Sequence, residues 1–97
     1  MRVRLTRAAQ TDLDLIGQWI AQDNPVRAVS FIDELTNRCR SLSTNADRFP
    51  IAYDLGGRTV RKMRHGRYLI FYYELNGAIE VSRIVHGSRD WSQMFEI

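Results

Sequence analysis

The chain opens on an alternation: Val3 and Leu5 are apolar, while Arg2 and Arg4 are charged. A period of two is that of a short, half-buried strand. Thr6 follows as an N-cap, its hydroxyl placed to accept an amide that the first helical turn leaves unpaired. The apolar period then changes. Ala9, Leu13, Ile16 and Ile20 recur at intervals of four, three and four, with Trp19 beside them, which marks one face of a helix. Asn24-Pro25 punctuates the chain next. Asn caps a second helix and Pro takes its first position, where a missing N–H costs nothing. Ala28, Ile32, Leu35, Cys39 and Leu42 form the stripe of that helix, with Asp33, Arg38 and Arg40 elsewhere on it. So short a connection predicts an antiparallel helical hairpin.

From Asn45 to Gly57 the pattern breaks, and Asn45, Pro50, Gly56 and Gly57 predict a long irregular loop. Beyond it the period of two returns. Arg67 to Leu75 is almost continuously apolar and aromatic, Asn76-Gly77 is a strong hairpin signal, and Ala78 to His86 is its partner strand. Thr59 to Arg64, ending at His65-Gly66, predicts a third antiparallel strand. The expected fold is α+β in a single domain over 1–97: a short N-terminal strand, a helical hairpin and a three-stranded antiparallel meander. Ser88 to Ile97 receives no element.

Register follows from the turns. With two-residue turns, Leu75 faces Ala78, Ile70 faces Arg83, Tyr68 faces Val85, and Arg61 lies opposite Ile70. One face then collects Val60, Leu69, Phe71, Tyr73, Ala78 and Ile84, with Lys62, Arg64, Arg67 and His86 at one end. The other collects Met63, Tyr68, Ile70, Tyr72, Ile79, Val81 and Val85, crossed by Arg61 and Arg83. One helix pair covers one face of an antiparallel sheet. The face without central charge, that of Phe71, is expected beneath the helices. The face of Tyr68, Tyr72 and Val81 is expected to stay open as a partner surface, unless Trp91, Met94, Phe95 and Ile97 fold back over part of it.

Composition narrows the class. Ninety-seven residues, 44% hydrophobic and 26% charged, describe one small soluble domain. No apolar run reaches the ~18 residues of a membrane span, and Met1 to Arg4 lacks the apolar block of a secretion signal. With a lone cysteine, Cys39, these features predict a reducing, cytoplasmic setting. Charge is uneven. Residues 1–54 carry seven arginines and seven acids, so the whole formal +3 falls in residues 55–97. Arg58, Arg61, Lys62, Arg64 and Arg67 crowd one ten-residue stretch without an acid. All cations but Lys62 are arginine, whose planar fork suits carboxylate and phosphate.

Little catalytic chemistry is visible. His65 and His86 have no second ligand at metal spacing, so no metal or other cofactor is expected. Asp12 and Asp14 read as solvated surface, Cys39 as a small core residue. One cluster remains: His86-Gly87-Ser88-Arg89-Asp90-Trp91 brings a histidine, an arginine, an acid and an indole together as the last strand ends.

Taken in order, Asn24-Pro25, Gly66-Arg67-Tyr68-Leu69-Ile70-Phe71-Tyr72 and His86-Gly87-Ser88-Arg89-Asp90 carry a family signature. With Ala9, Asp12-Leu13, Ile16, Ala28, Phe31-Ile32, Leu35, Leu42, Arg61 and Ile84-Val85, the chain resembles the RelE/ParE superfamily of toxin–antitoxin toxins, in its ParE-like branch. The resemblance implies a toxin neutralised by a ParD-like antitoxin, whose C-terminal segment wraps the hairpin and lies on the open sheet face. That segment is expected to be acidic, against Arg61, Arg83 and the cationic loop. The antitoxin-binding residues would be Arg61, Met63, Tyr68, Ile70, Tyr72, Val81, Arg83 and Val85. Freed, the toxin is expected to inhibit DNA gyrase, with Arg64, Arg67, His86, Arg89, Asp90 and Trp91 meeting the target. The alternative is the RelE-like activity, a metal-independent, ribosome-dependent endoribonuclease using Arg61, His86 and Arg89. Against it, Tyr68 stands where RelE-like chains carry an arginine, and Phe95 where they carry a tyrosine.

Overall fold

A computed structural model describes residues 1–91. Its order is β1 (Arg2–Leu5), α1 (Arg7–Ala21), α2 (Pro25–Asn45), β2 (Ile51–Leu55), β3 (Arg58–His65), β4 (Tyr68–Leu75) and β5 (Ala78–His86). Both predicted caps form. Thr6 accepts from the Ala9 amide, and Asn24 accepts from the Arg27 amide with Pro25 opening the helix. The Asn76-Gly77 turn also forms, both residues at positive φ (52° and 76°), with Leu75 facing Ala78, as a type I′ connection requires.

The sheet is larger than the meander. Five strands run β1-β5-β4-β3-β2, with β1 parallel to β5 and the other pairs antiparallel. β2 arises within the predicted loop and returns through Gly56-Gly57, both at positive φ, to pair with β3. The expected fold-back of Met94, Phe95 and Ile97 lies outside the described residues.

Two local features alter the predicted register. Between β3 and β4 the turn residues are Gly66 and Arg67, not His65 and Gly66, so His65 faces Tyr68 and Arg61 faces Tyr72. This slip of two preserves the faces of β3. In β5 a bulge falls at Ser82: Tyr72 pairs with Val81, but Phe71 pairs with Arg83, Ile70 with Ile84 and Leu69 with Val85. One extra residue reverses every later side chain, so Ile84 and Val85 exchange their predicted faces.

The helices lie on the side opposite to the one predicted. Met63, Ile70, Tyr72, Ile79, Val81 and Ile84 pack with Ala9, Leu13, Ile16, Leu35, Cys39 and Leu42 into the main core. The predicted open face is therefore the helix-covered face. Central charge does not prevent this, because arginine stems are long enough to carry their heads to the rim. Arg61 donates to the Phe49 carbonyl (2.6 Å). Arg83 donates to Asp12 through Nε (2.8 Å) and Nη2 (3.0 Å), and the same carboxylate accepts the Ile84 amide (2.8 Å). Asp12 is thus no solvated surface residue but the clamp that joins α1 to the bulge. Thr6 supports the same place, its hydroxyl donating to the Ser82 carbonyl (2.9 Å).

Candidate functional site

Neither sheet face offers an open apolar surface. On the outer side Val60, Leu69, Phe71 and Val85 are buried, flanked by Ala52, Tyr53, Leu55, Tyr73 and Trp91. Trp91 stacks on Tyr53 (6.1 Å between centroids) and tilts against Phe71 (5.1 Å). Lys62 lies 5.2 Å from the indole centroid and Arg58 4.6 Å from that of Tyr73. Exposed large apolar side chains are instead concentrated on the hairpin. Trp19 is 68% exposed, Val26 81%, Val29 66% and Leu15 57%. Leu15 and Trp19, four residues apart on α1, share one side of that helix. Trp19, expected beside the buried stripe, points to solvent instead.

The residues proposed for antitoxin binding are therefore redistributed. Met63, Ile70, Tyr72 and Val81 lie inside the main core, at most 1% exposed, and Val85 is buried on the outer side. Buried this way, none of the five can meet a partner without the fold opening. Tyr72 donates its hydroxyl to the Ala46 carbonyl (2.5 Å), and burial pushes its pKa up to about 12. Tyr68 is half-buried between Phe31 and His86, and burial raises its pKa too. Arg61 and Arg83 are half-buried and committed to the contacts above; the Asp12 hydrogen bond raises the Arg83 pKa.

The cationic cluster does assemble, because the β3–β4 turn and the end of β5 are neighbours. The Gly87 amide donates to the Arg67 carbonyl (2.6 Å). A Cβ on Gly87 would sit 3.2 Å from that carbonyl oxygen and 3.4 Å from an Arg64 guanidinium nitrogen, so a larger residue would push both apart. Arg38 donates to the Arg64 carbonyl (2.9 Å), anchoring this end to α2. His86 packs edge-on against Tyr68 (5.3 Å). Its Nδ1 accepts the Ser88 amide (3.1 Å) and meets the Ser88 hydroxyl at 2.6 Å. With Nδ1 accepting that amide, the neutral ring carries its proton on Nε2. Arg89 donates its amide to the His86 carbonyl (3.0 Å) and its side chain is exposed. Asp90 is exposed beside it, whereas Trp91 is drawn away onto the outer face.

The pattern of residues gave no sign of a second row on the helix side. His65, Tyr68 and His86 stand directly across three adjacent strands. Phe31 touches both His65 (5.7 Å) and Tyr68 (5.6 Å). Glu34 lies 3.5 Å from His65 Nε2 and takes a hydrogen bond from Arg27, which holds the Glu34 pKa below the usual carboxylate range. At the far end of the sheet, a cavity of about 570 Å3 is lined by Arg58, Arg61, Tyr72, Asp47 and Glu74 among others. No group of three or more metal-binding side chains occurs among the described residues, and no described helix is long and apolar enough to cross a membrane.

The model of one family, the ParE toxin of the parDE type II toxin–antitoxin system, matches residues 3–91. The chain belongs to the ParE toxin family. The matched span runs from β1 to Trp91, so it includes the hairpin, all five strands and the cationic end. The ParE fold also appears in a solved structure of a chromosomal ParDE system from P. aeruginosa. That structure superposes with a TM-score of 0.75 at 18% identity, covering 89% of this chain and 95% of that one. Comparison with curated proteins finds no match. Family membership makes the chain a toxin of the type II class, and it agrees with the α+β expectation; the sheet itself is five-stranded and mixed.

Proposed function

We propose that this ParE-family toxin works in the cytoplasm, is held inactive by a ParD-like antitoxin, and when released binds and inhibits DNA gyrase. The family match over residues 3–91 is the observation that carries this reading. It is supported by the exposed apolar side chains on the hairpin, which a partner would cover. The antitoxin is proposed to seat on Leu15, Trp19, Val26 and Val29 instead of on the sheet. The cationic end formed by Arg64, Arg67, His86 and Arg89 is proposed to meet the target.

Binding is favoured over cutting by the placement of the groups a nuclease would need. Phosphodiester cleavage without a metal requires cations and a proton-transfer group around one phosphate. Arg61 lies in the row of Tyr72, His86 in the row of Tyr68. Those rows are separated by four residues of β4, about 13 Å along the strand, and by two strand spacings across it. Arg61 is also spent on the Phe49 carbonyl. The set Arg61, His86 and Arg89 does not converge.

The test is a gyrase supercoiling assay with purified chain, run beside a translation extract. Loss of supercoiling near stoichiometric toxin, restored by the product of the adjacent reading frame, with ribosome-bound message intact, is the expected result. Unchanged supercoiling would remove gyrase as the target, and cleaved message would reinstate the nuclease.

A further inference from the structure

The turn that ends β5 sets a hydroxyl against a base. Arg89 donates its amide to the His86 carbonyl (3.0 Å), which closes a turn with Gly87 and the exposed Ser88 at its tip. The Ser88 hydroxyl lies 2.6 Å from His86 Nδ1. That nitrogen already accepts the Ser88 amide (3.1 Å), so it carries no proton and the hydroxyl is the donor. Three other described serines, Ser30, Ser41 and Ser82, also donate their hydroxyls, but to the carbonyls of Arg27, Arg38 and Phe71. A carbonyl oxygen takes up no proton at neutral pH, whereas an imidazole nitrogen does. The contact falls within the ~2.6–3.2 Å over which a general base abstracts a proton.

The surroundings select the group that such an oxygen would receive. Arg64 reaches over the turn: one nitrogen of its guanidinium lies 3.4 Å from where a Cβ on Gly87 would sit, one residue before Ser88. Arg89 follows Ser88 directly, and Arg64, Arg67 and Arg89 are all exposed. Between His86 and Trp91 the one carboxylate is Asp90. A neutral acyl group on Ser88 would gain nothing from these arginines. A phosphoryl group would, because its oxygens accept the forked pairs that a guanidinium donates. It would also bring about −1.5 to −2 of charge, enough to cancel most of two arginines.

We propose that Ser88 is a phosphoryl-acceptor site, with His86 as its base and Arg64 and Arg89 as its phosphate ligands, and that a protein kinase acting there switches off the cationic end. The exposed turn offers a donor no enclosure, so the nucleotide comes held by the kinase. Ser88 Oγ attacks the γ-phosphorus of a nucleoside triphosphate. The Oγ–P bond forms as the bond from that phosphorus to the bridging oxygen breaks, and nucleoside diphosphate leaves. The hydroxyl proton passes to His86 Nδ1 and from the ring to solvent. The acceptor site stands by itself; the switch rests on the reading above, in which the cationic end meets gyrase.

The test incubates the full chain with ATP labelled in its γ-phosphate and a soluble extract of the cells that carry the gene, then maps the label by mass spectrometry. Label is expected on Ser88 and absent in Ser88→Ala. In His86→Asn the side-chain oxygen can still accept the amide two residues on but is no base, so labelling should fall at least tenfold. Ser88→Asp should weaken gyrase inhibition at least tenfold with an unchanged circular dichroism spectrum. No label on Ser88, or equal labelling in His86→Asn, would overturn the acceptor site and leave the contact as a brace of the turn. Label on Ser88 with full inhibition by Ser88→Asp would overturn the switch. A chain labelled at Ser88 that never inhibits gyrase would overturn the target reading and leave the acceptor site standing.

Discussion

The two faces of the sheet use their charged and aromatic residues in opposite ways. On the helix side, Arg61 and Tyr72 cross to other elements, reaching the Phe49 and Ala46 carbonyls, and Arg83, brought opposite Phe71 by the bulge, reaches Asp12 on α1. Every buried side-chain nitrogen and oxygen among the described residues has a partner. On the outer side, a smaller apolar cluster is sealed by aromatic rings, and Arg58 and Lys62 rest above those rings. The first face spends its cations on holding the fold together. The second keeps cations at the surface, Lys62 two residues from Arg64 of the cationic end and Arg58 toward the opposite end of β3. Charge across a sheet face therefore does not reveal whether that face is open; the reach of the side chain does.

Substitutions can break this contrast, the largest first. Phe71→Ala should cost about 3–5 kcal/mol, because Phe71 is fully buried on the outer side and joins β4 to Tyr53 and Trp91. Urea denaturation would read the loss, and a cost below 1 kcal/mol would mean the outer cluster is not a true core. Asp12→Ala should cost about 3 kcal/mol, since it strands a half-buried guanidinium and the Ile84 amide together. A double-mutant cycle with Arg83→Met should recover part of that cost, and strict additivity would show that the clamp is not formed.

Tyr72→Phe should cost only about 1 kcal/mol, the net worth of one hydrogen bond, and should change the alkaline behaviour. Tyr72 and Tyr53 are both raised by burial from 10.0 to about 12. A pKa raised on folding contributes stability that is complete below pH 10 and disappears as pH climbs to about 12. Stability should thus fall across that window, less steeply in Tyr72→Phe. Absorbance titration of the phenolates should show Tyr53 and Tyr72 ionising last. Smallest of all, Lys62→Ala should cost about 0.5 kcal/mol through its contact with the Trp91 ring.

The elements that could be read from the residues were those set by local chemistry. Thr6, Asn24-Pro25 and Asn76-Gly77 act within a few residues of themselves, and the stripes of both helices needed only their spacing. The features that escaped were set by contacts distant in sequence. The bulge at Ser82 is fixed by Thr6 and Asp12, more than seventy residues away, and nothing in Val81-Ser82-Arg83 announces it. The bulge exchanges the faces of Ile84 and Val85. The helix side itself escaped for another reason: a central arginine, Arg61, looks like a bar to burial, whereas its head reaches the Phe49 carbonyl. β2 escaped because Ile51–Leu55 carries Asp54 and follows Pro50, and only pairing with β3 makes it a strand. The cationic end was legible, since Arg64, Arg67, His86 and Arg89 flank two turns that the register brings together. The surface proposed for the partner was not. It depends on Trp19 and Val26 being left over once the hairpin has packed.

Hydroxyl-radical footprinting of the toxin, free and bound to the product of its adjacent reading frame, tests most directly where the antitoxin sits. The hairpin account predicts strong labelling of Trp19 and Leu15 in the free chain, loss of that labelling in the complex, and little labelling of Met63 or Tyr72 in either. Strong labelling of Met63 and Tyr72 in the free chain, lost on binding while Trp19 stays reactive, would contradict it.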